Sequence, residues 1–565
     1  MNLRSLTVIM ITGVLLGACA AVKPPPAASV PVSEMSPYGL FLAGRGAFNS
    51  GQNALASDYY EAIRLAEPGA DGLVRARAFS SALLAGRVSL AATLAPDGPN
   101  DSEAERNFGK VVRGVEALAT RNPKQAQILL APGTVGFPHR SLASLISPWA
   151  AAMAGDADGA VVRPQVQGDK LVEYFGLVGQ AELYERAGRF DEAETNFKSL
   201  TGSGDPGELV ILAYGAFLER RGRSADAQAL YDRLLTPEPH TLAVQTARAR
   251  TIAHKPPPAM STLTQGAAQA MIAPATGMIA ANQKQIGLAY LQLALRLDPD
   301  LNSAWLMLGD ILEENGQLEA ARQAYGHPKL GKPDYWAGRT RLAWSYQRAK
   351  DPEMALKVAG ETVTAGGGVE ARLVLADLLR VNERYDQSAD VLTEVIKSDP
   401  AASVDWRLLY ARGMANDRAG RWLDGEADLK RALALVPDDP EVLNYLGYSW
   451  IDRGEHLPEA LAMIQKALSQ NPRSGAVLDS LGWAYFHMGD MTKALTTLEQ
   501  AVELEAGDPD INNHLGDAYW QVGRKDEARF QWQRVLTLEP EARLKDEIAR
   551  KLAGGLPLPA KSDHP

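Results

Sequence analysis

The chain has 565 residues, a net charge of −10 and a single cysteine, with 46% hydrophobic and 22% charged residues. This hydrophobic share is normal for a folded globular protein, and the acidic balance without a basic cluster argues against a nucleic-acid partner. One cysteine excludes an internal disulfide framework and any cysteine-rich metal site.

The N-terminal segment has the organisation of a secretion signal. Arg4 precedes an apolar stretch from Leu6 to Leu16. This stretch is too short to cross a bilayer as a helix, because a spanning helix needs about 20 apolar residues. The sequence therefore predicts a cleavable signal peptide over residues 1–18.

The cysteine follows this segment directly. Leu16-Gly17-Ala18-Cys19 resembles the lipobox of bacterial lipoproteins, in which the signal is cut before a cysteine that then carries acyl chains. The resemblance implies lipidation of Cys19 and anchoring to a membrane, and Ala20 at the next position resembles lipoproteins sorted to the outer membrane. The alternative interpretation of Cys19 is a buried free thiol.

Residues 19–36 are rich in proline, including Pro24, Pro25, Pro26 and Pro31. Proline lacks a backbone donor and favours an extended chain over a helix. We therefore predict a tether between the lipidated Cys19 and the folded part of the chain.

A glycine recurs through the chain with a regular period. Its positions are Gly188, Gly222, Gly420, Gly454, Gly489 and Gly523, and neighbouring members within each run are 34 or 35 residues apart. Glycine is favoured where a helix ends in the left-handed region, so each of these residues is predicted to end a helix.

Other residues fall in phase with this glycine. In one period they are Leu481, Gly482, Tyr485, Ala494 and Leu498, and the small members allow two helices to approach closely. The pattern and its length resemble the tetratricopeptide repeat (TPR). The resemblance implies an all-α fold, a TPR superhelical solenoid of antiparallel helix pairs.

The repeat frame divides the chain into six segments. They are a signal peptide (1–18), a lipidated cysteine with a tether (19–36), N-terminal TPRs with degenerate helical hairpins (37–241), an irregular helical segment with a Pro-rich loop (242–301), a C-terminal TPR array (302–542), and a capping helix with a flexible tail (543–565).

Catalytic and cofactor signatures are weak in this sequence. Gly202 to Gly207 match the spacing of a phosphate-binding loop, but that motif requires a strand before it, and here the match separates two predicted helices. The eight histidines have no metal-ligand spacing, and carboxylates are expected at solvated repeat edges. We predict no catalytic residues, no metal and no cofactor.

In TPR proteins, ligands contact fixed positions on the first helix of each repeat. Aromatic and polar residues at these positions suit binding to a partner protein. The alternative is that the rings only pack on neighbouring repeats. The residues predicted to bind a partner are Trp344, Arg348, Asn444, Tyr448, Asp479, Trp483, Phe486, Asn513, Asp517 and Trp520.

The C-terminal repeats carry a more specific resemblance. The segments Val442–Tyr448, Leu478–Trp483 and His514–Asp517, together with the lipobox and the tether, resemble the large TPR lipoproteins of proteobacterial outer membranes. That family includes the adaptor of a periplasmic carboxyl-terminal processing protease. The resemblance implies a periplasm-facing adaptor whose partners are an envelope protease and its cell-wall hydrolase substrates.

Two other interpretations remain open at this point. One is an assembly or secretion factor for outer-membrane proteins, pili or exopolysaccharide, which would capture integral membrane components. The other is an enzyme in residues 105–173 or 242–301, which would turn over a peptide or glycan unaided.

Overall fold

The computed structural model describes residues 35–67, 72–202, 206–235, 242–331, 334–398 and 402–556. The predicted signal peptide, Cys19 and nearly all of the tether lie outside these residues. The described residues form helices joined by turns, and no strand occurs among them. Within the same ranges, none of the helices combines the length and apolar character needed to cross a membrane.

The chain divides into two compact units, with the boundary between Pro328 and Lys329. The predicted C-terminal array begins at residue 302, so its first helix pair lies in the N-terminal unit. The helices of that unit are α1 (Pro37–Asn49), α2 (Asn53–Ala66), α3 (Gly72–Leu84), α4 (Val88–Leu94), α5 (Glu103–Ala119), α6 (Pro123–Leu129), α7 (Arg140–Ala154), α8 (Ala157–Ala160), α9 (Lys170–Arg186), α10 (Phe190–Gly202), α11 (Glu208–Arg220), α12 (Ser224–Leu235), α13 (Leu242–Ile252), α14 (Leu263–Gln269), α15 (Ile272–Ala280), α16 (Lys284–Leu297), α17 (Asn302–Glu314) and α18 (Leu318–Tyr325).

The C-terminal unit is a regular series of antiparallel helix pairs followed by one further helix. Its helices are α19 (Tyr335–Arg348), α20 (Pro352–Thr364), α21 (Gly368–Val381), α22 (Tyr385–Ser398), α23 (Trp406–Arg418), α24 (Trp422–Leu435), α25 (Pro440–Arg453), α26 (Leu457–Gln470), α27 (Gly475–His487), α28 (Met491–Leu504), α29 (Pro509–Gln521), α30 (Lys525–Leu536) and α31 (Ala542–Gly554).

The marker glycines act as the sequence predicts. All of them lie in the left-handed region, with φ between +71° at Gly454 and +83° at Gly523. Each joins the first helix of a pair to the second, as Gly489 does between α27 and α28. The predicted all-α fold built from TPR helix pairs is confirmed.

Small residues set the distance between the two helices of a pair. A Cβ atom added to Gly482 on α27 would lie 2.6 Å from Cγ of Leu498 on α28, which is fully buried. Gly516 and Trp532 have the same relation in α29 and α30, where the added Cβ would lie 2.5 Å from Nε1 of the indole. Larger side chains at these glycines would force the helices apart.

The N-terminal unit is less regular, because α16 packs against α3, α4 and α5, which lie far from it in sequence. Arg296 on α16 donates two hydrogen bonds to Glu116 on α5, at 2.9 and 3.1 Å. Between α13 and α14, the predicted Pro-rich loop is an exposed segment without helix, and its Pro258 carbonyl accepts a hydrogen bond from Arg220 at 3.1 Å.

Polar links join the first helix of one repeat to the first helix of the next. The partners of each link lie 31 to 36 residues apart, close to one repeat period. The linked pairs are Glu185 with Arg220, Glu219 with Arg250, Gln347 with Asn382, Asp417 with Arg453, Asp479 with His514, and Asp517 with Lys551.

These links correct one expectation from the sequence. Carboxylates were expected at solvated repeat edges, but Glu185, Glu219, Asp428, Asp479 and Asp517 are buried. All of them have a basic partner, such as the guanidinium of Arg220, which donates to both oxygens of Glu185 at 2.7 Å. The expectation is wrong at these positions because a buried charge is retained when it is paired and hydrogen-bonded.

Candidate partner-binding surface

First helices of neighbouring pairs contact each other in the C-terminal unit, α25 with α27 and α27 with α29. We call the surface formed by these three helices the inner face. It brings together eight of the ten residues predicted to bind a partner: Asn444, Tyr448, Asp479, Trp483, Phe486, Asn513, Asp517 and Trp520. The other two, Trp344 and Arg348, lie on α19, which packs against α20 and α21.

At the centre of the inner face, Asp479 on α27 pairs with His514 on α29. The imidazole Nδ1 lies 2.8 Å from Oδ2 and 3.0 Å from Oδ1 of the carboxylate, and both side chains are buried. His514 is not among the residues predicted to bind a partner, because it stands one position after the predicted ligand position at Asn513. Its distance of 35 residues from Asp479 is the signal that could have identified it.

The Asp479–His514 pair carries a net charge that depends on the histidine. Burial alone would lower the pKa of His514, but the carboxylate of Asp479, joined by those of Asp510 and Asp517, raises it to about 9. The imidazole is therefore a cation at neutral pH. A buried imidazolium cannot accept a proton, so this pair is not a general base at pH 7.

Aromatic rings stack on this pair. The Trp483 ring lies parallel to the His514 ring, with centroids 4.1 Å apart and an interplanar angle of 16°. On α27 itself, Phe486 stacks on Trp483 at 4.7 Å. Tyr448 approaches His514 at 6.0 Å from α25. The rings form one continuous cluster across the three helices.

Three buried polar atoms on the helices of the inner face have no hydrogen-bond partner among the described residues. They are Nε1 of Trp483, Oδ1 of Asn444 and Oδ1 of Asn512. Burying a donor or acceptor without a partner costs about 1–3 kcal/mol. All three atoms are buried, so a bound molecule could pair with them only if the surrounding side chains moved.

The chain itself covers the end of the inner face. The ammonium group of Lys551 on α31 lies 2.7 Å from Oδ1 of Asn513 and 2.7 Å from Oδ2 of Asp517. The other Asp517 oxygen accepts a hydrogen bond from Nε1 of Trp532 at 2.9 Å. Asn513 and Asp517 are thus engaged by the capping helix that the sequence predicts.

Trp520 is also close to the end of the chain. A Cβ atom on Gly555 would lie 1.9 Å from Cζ2 of the Trp520 indole, so only glycine permits this approach. The φ of Gly555 is +74°, which also favours glycine. The indole remains half-buried, with the ammonium of Lys525 5.0 Å from its ring centroid.

A second polar cluster, which is not among the residues predicted from the sequence, lies beside the inner face. Asp417 on α23 accepts hydrogen bonds from the hydroxyls of Tyr445 and Ser449, both at 3.1 Å, and from Arg453 at 2.5 Å. Its neighbour Arg418 ends the helix. Asp417 stands near the end of a first helix, one repeat before Arg453. This spacing is again the signal in the sequence that could have identified the pair.

The inner face has the chemistry of a protein-binding surface. Asn444, Tyr448, Phe486 and Trp520 are partly exposed there, above the buried carboxylates of Asp479 and Asp517 and the buried His514. Across the described ranges, no group of three or more His, Cys, Asp and Glu side chains could hold a metal ion.

The repeats of this chain match two protein-family models, both described as tetratricopeptide repeat. One covers residues 372–541, and the other covers residues 279–326 and 340–403. These residues are tetratricopeptide repeats, and proteins built from such repeats generally serve as non-catalytic scaffolds that bind other proteins. Neither model describes an enzyme family.

Curated relatives match part of the chain. The TPR repeat-containing protein PA4667 of Pseudomonas aeruginosa is 27% identical over 218 residues, which is 39% of this chain and 31% of that protein. The BBSome complex member BBS4 of Bos taurus is 24% identical over 269 residues, 45% of this chain and 50% of that protein. The matches span about a third and a half of the lengths of these relatives.

Solved structures that are similar to this chain include the Cut9–Hcn1 hetero-tetramer of the APC/C. That match has a TM-score of 0.36 and 15% identity, and it covers 92% of this chain and 96% of that chain. A TPR protein from Parabacteroides merdae has a TM-score of 0.40 and 14% identity, and the match covers 45% of this chain and 98% of that chain.

Proposed function

We propose that this protein is a membrane-anchored, periplasm-facing scaffold that recruits an envelope enzyme, a protease acting on cell-wall hydrolases. The resemblance of Leu16–Cys19 to a lipobox supports the anchor on Cys19 and the outer-membrane location. The resemblance of the C-terminal repeats to TPR lipoproteins that serve a periplasmic processing protease supports the identity of the partner.

The binding role rests on the aromatic cluster of the inner face and on its polar atoms that have no hydrogen-bond partner. Trp483 lies at the centre of the aromatic cluster, yet its indole N–H has no acceptor, and the amide oxygen of Asn444 has no donor. Tryptophan and tyrosine contribute most to the affinity of protein interfaces. Both atoms are buried in the free protein, so a partner backbone would pair with them only after a local movement that exposes them.

Affinity capture from cell envelopes tests this proposal. The bait is tagged protein from residue 20 onward, compared with the Trp483→Phe variant, which keeps the ring stack and removes the N–H. The matched control is Phe530→Ala, because Phe530 is 63% exposed on α30, a second helix outside the inner face. Double substitution of Trp483 and Trp520 by Ala provides the stronger disruption.

Recovery of a protease or cell-wall hydrolase by the wild type and the control, with loss in the inner-face variants, is the expected result. Recovery of a secretion or assembly machine would instead favour the role in outer-membrane protein, pilus or exopolysaccharide biogenesis. Equal recovery by all baits would show that the inner face does not bind the partner.

A further inference from the structure

The connection between α30 and α31 contacts residues far from it in sequence. Glu541 accepts a hydrogen bond from the hydroxyl of Tyr385 at 3.1 Å and forms an ion pair with Arg418. Glu539 lies 3.9 Å from the ammonium of Lys350. We call residues 538–541 the acidic strap. Its partners precede it by more than a hundred residues within the same unit.

The residues that hold Glu541 form an organised pair. Tyr385 begins α22 and Arg418 ends α23. The guanidinium of Arg418 donates a hydrogen bond to the Tyr385 hydroxyl at 3.2 Å and lies 5.1 Å from the centroid of its ring. The hydroxyl and the guanidinium therefore both point at one carboxylate, and each stabilises the orientation of the other.

Charge complementarity defines the ligand of this pair. Lys350 and Arg418 supply two positive charges, and the strap supplies Glu539 and Glu541 with Pro540 between them. Glu539, the residue before Pro540, has a φ of +51°, in the left-handed region, so the strap turns at this residue between its two carboxylates. A partner segment with two glutamates around a proline would present the same groups.

The strap is held in a way that permits exchange. The Arg418 and Glu541 side chains are 40% and 43% exposed, and exposed ion pairs contribute little individually. What keeps the strap in place is its covalent connection to α31, which Lys551 and the buried Ile548 attach to the last repeat. The tether raises the local concentration of the strap at the site, so weak contacts suffice.

We propose that Lys350, Tyr385 and Arg418 form a docking site for an acidic segment of the partner, and that the acidic strap occupies this site in the free protein. This inference rests on the proposed role as a protein-binding scaffold and adds the chemistry of the partner segment. The strap acts as an internal competitor, so it lowers the apparent affinity of the site for the partner.

A peptide titration tests the proposal directly. The probe is the acetylated and amidated peptide Leu-Glu-Pro-Glu-Ala, which copies the strap, and the control peptide has glutamine in place of both glutamates. Saturation-transfer NMR suits weak binding of this peptide to a 60.8 kDa chain. The protein is the full chain from residue 20, as wild type and as the double variant Glu539→Gln with Glu541→Gln, which weakens the strap.

We expect the double variant to bind the acidic peptide about fivefold more tightly than the wild type, since an exposed ion pair accounts for a factor of this size. Adding Arg418→Gln or Tyr385→Phe should remove this gain. The matched control is Arg524→Gln, which removes an exposed guanidinium from the turn between α29 and α30. This control should leave the gain in peptide affinity unchanged. Circular dichroism confirms that each variant is folded, and Tyr385→Phe removes only a hydroxyl.

Equal binding of the acidic and the glutamine peptide, or a gain that survives both Arg418→Gln and Tyr385→Phe, would overturn the proposal. The capture experiment with Trp483→Phe fails or succeeds independently of this result. Peptide binding without partner capture would support the docking site and contradict the scaffold role. Partner capture without peptide binding would contradict the docking site alone.

Discussion

Replacing Gly482 with alanine tests the packing inside a repeat. The new Cβ would lie 2.6 Å from Cγ and 2.9 Å from Cδ2 of Leu498, whereas carbon atoms normally approach to about 3.5–4.0 Å. Overpacking of this kind costs about 1–3 kcal/mol, and the higher helix propensity of alanine returns about 0.5–1 kcal/mol. We therefore expect a net loss of up to about 2.5 kcal/mol.

The assay is hydrogen exchange of the amides in α27 and α28, supported by urea unfolding. The matched control is Gly360→Ala in α20, where an added Cβ meets nothing within 4 Å, so only the propensity gain remains. A second test adds Leu498→Ala, which removes the side-chain atoms of the clash, leaves the backbone nitrogen of Leu498 at 3.2 Å, and should reduce the cost of Gly482→Ala. If Gly482→Ala alone stabilises the repeat as much as Gly360→Ala does, the packing argument is wrong.

Three further predictions concern charge and anchoring. The folded-state pKa of His514 is raised to about 9, above its unfolded value of about 6.5. The charged imidazole therefore contributes its full stabilisation of the fold below pH 6.5, and this contribution is lost as the pH rises through 9. Asp479→Asn should therefore lower the thermal midpoint strongly at pH 6 and little at pH 10, and an equal effect at both would contradict the pairing. Lys551→Met leaves Asp517 buried without its cation, which costs about 3–5 kcal/mol of stability. The backbone amides of α31 should therefore exchange their hydrogens faster, and unchanged exchange would exclude a stabilising Lys551–Asp517 link. Cys19→Ala should release the protein from the membrane fraction and abolish metabolic lipid labelling, whereas retention in that fraction would argue against the lipobox.

The sequence predicts what depends on neighbours within one repeat. The glycine at position 489 and the pairing of Gly482 with Leu498 follow from a period of 34 residues, because turns and helix pairs are local. The burial of Asp479 depends instead on His514 in the next repeat. A rule based on ligand positions selects Asn513 and omits its neighbour His514, because the rule contains no information on contacts between repeats.

The contacts of the acidic strap could not be predicted from the sequence pattern. Contacts of Glu541 with residues more than a hundred positions earlier depend on how successive pairs rotate within the unit, and no local pattern encodes that rotation. The packing of α16 against α3 and α5 has the same origin, since these helices also lie far apart in sequence. These features arise from the sum of many small interhelical angles.

The polar links between first helices bear on how such a chain can grow. A middle helix such as α29 carries both a cation that reaches back, His514, and an anion that reaches forward, Asp517. A gene duplication that copies one whole period reproduces both groups in register and extends the series. A duplication or deletion of any other length leaves a buried carboxylate opposite the wrong residue, at a cost of about 3–5 kcal/mol. The polar links therefore oppose changes of repeat length at the positions that carry them.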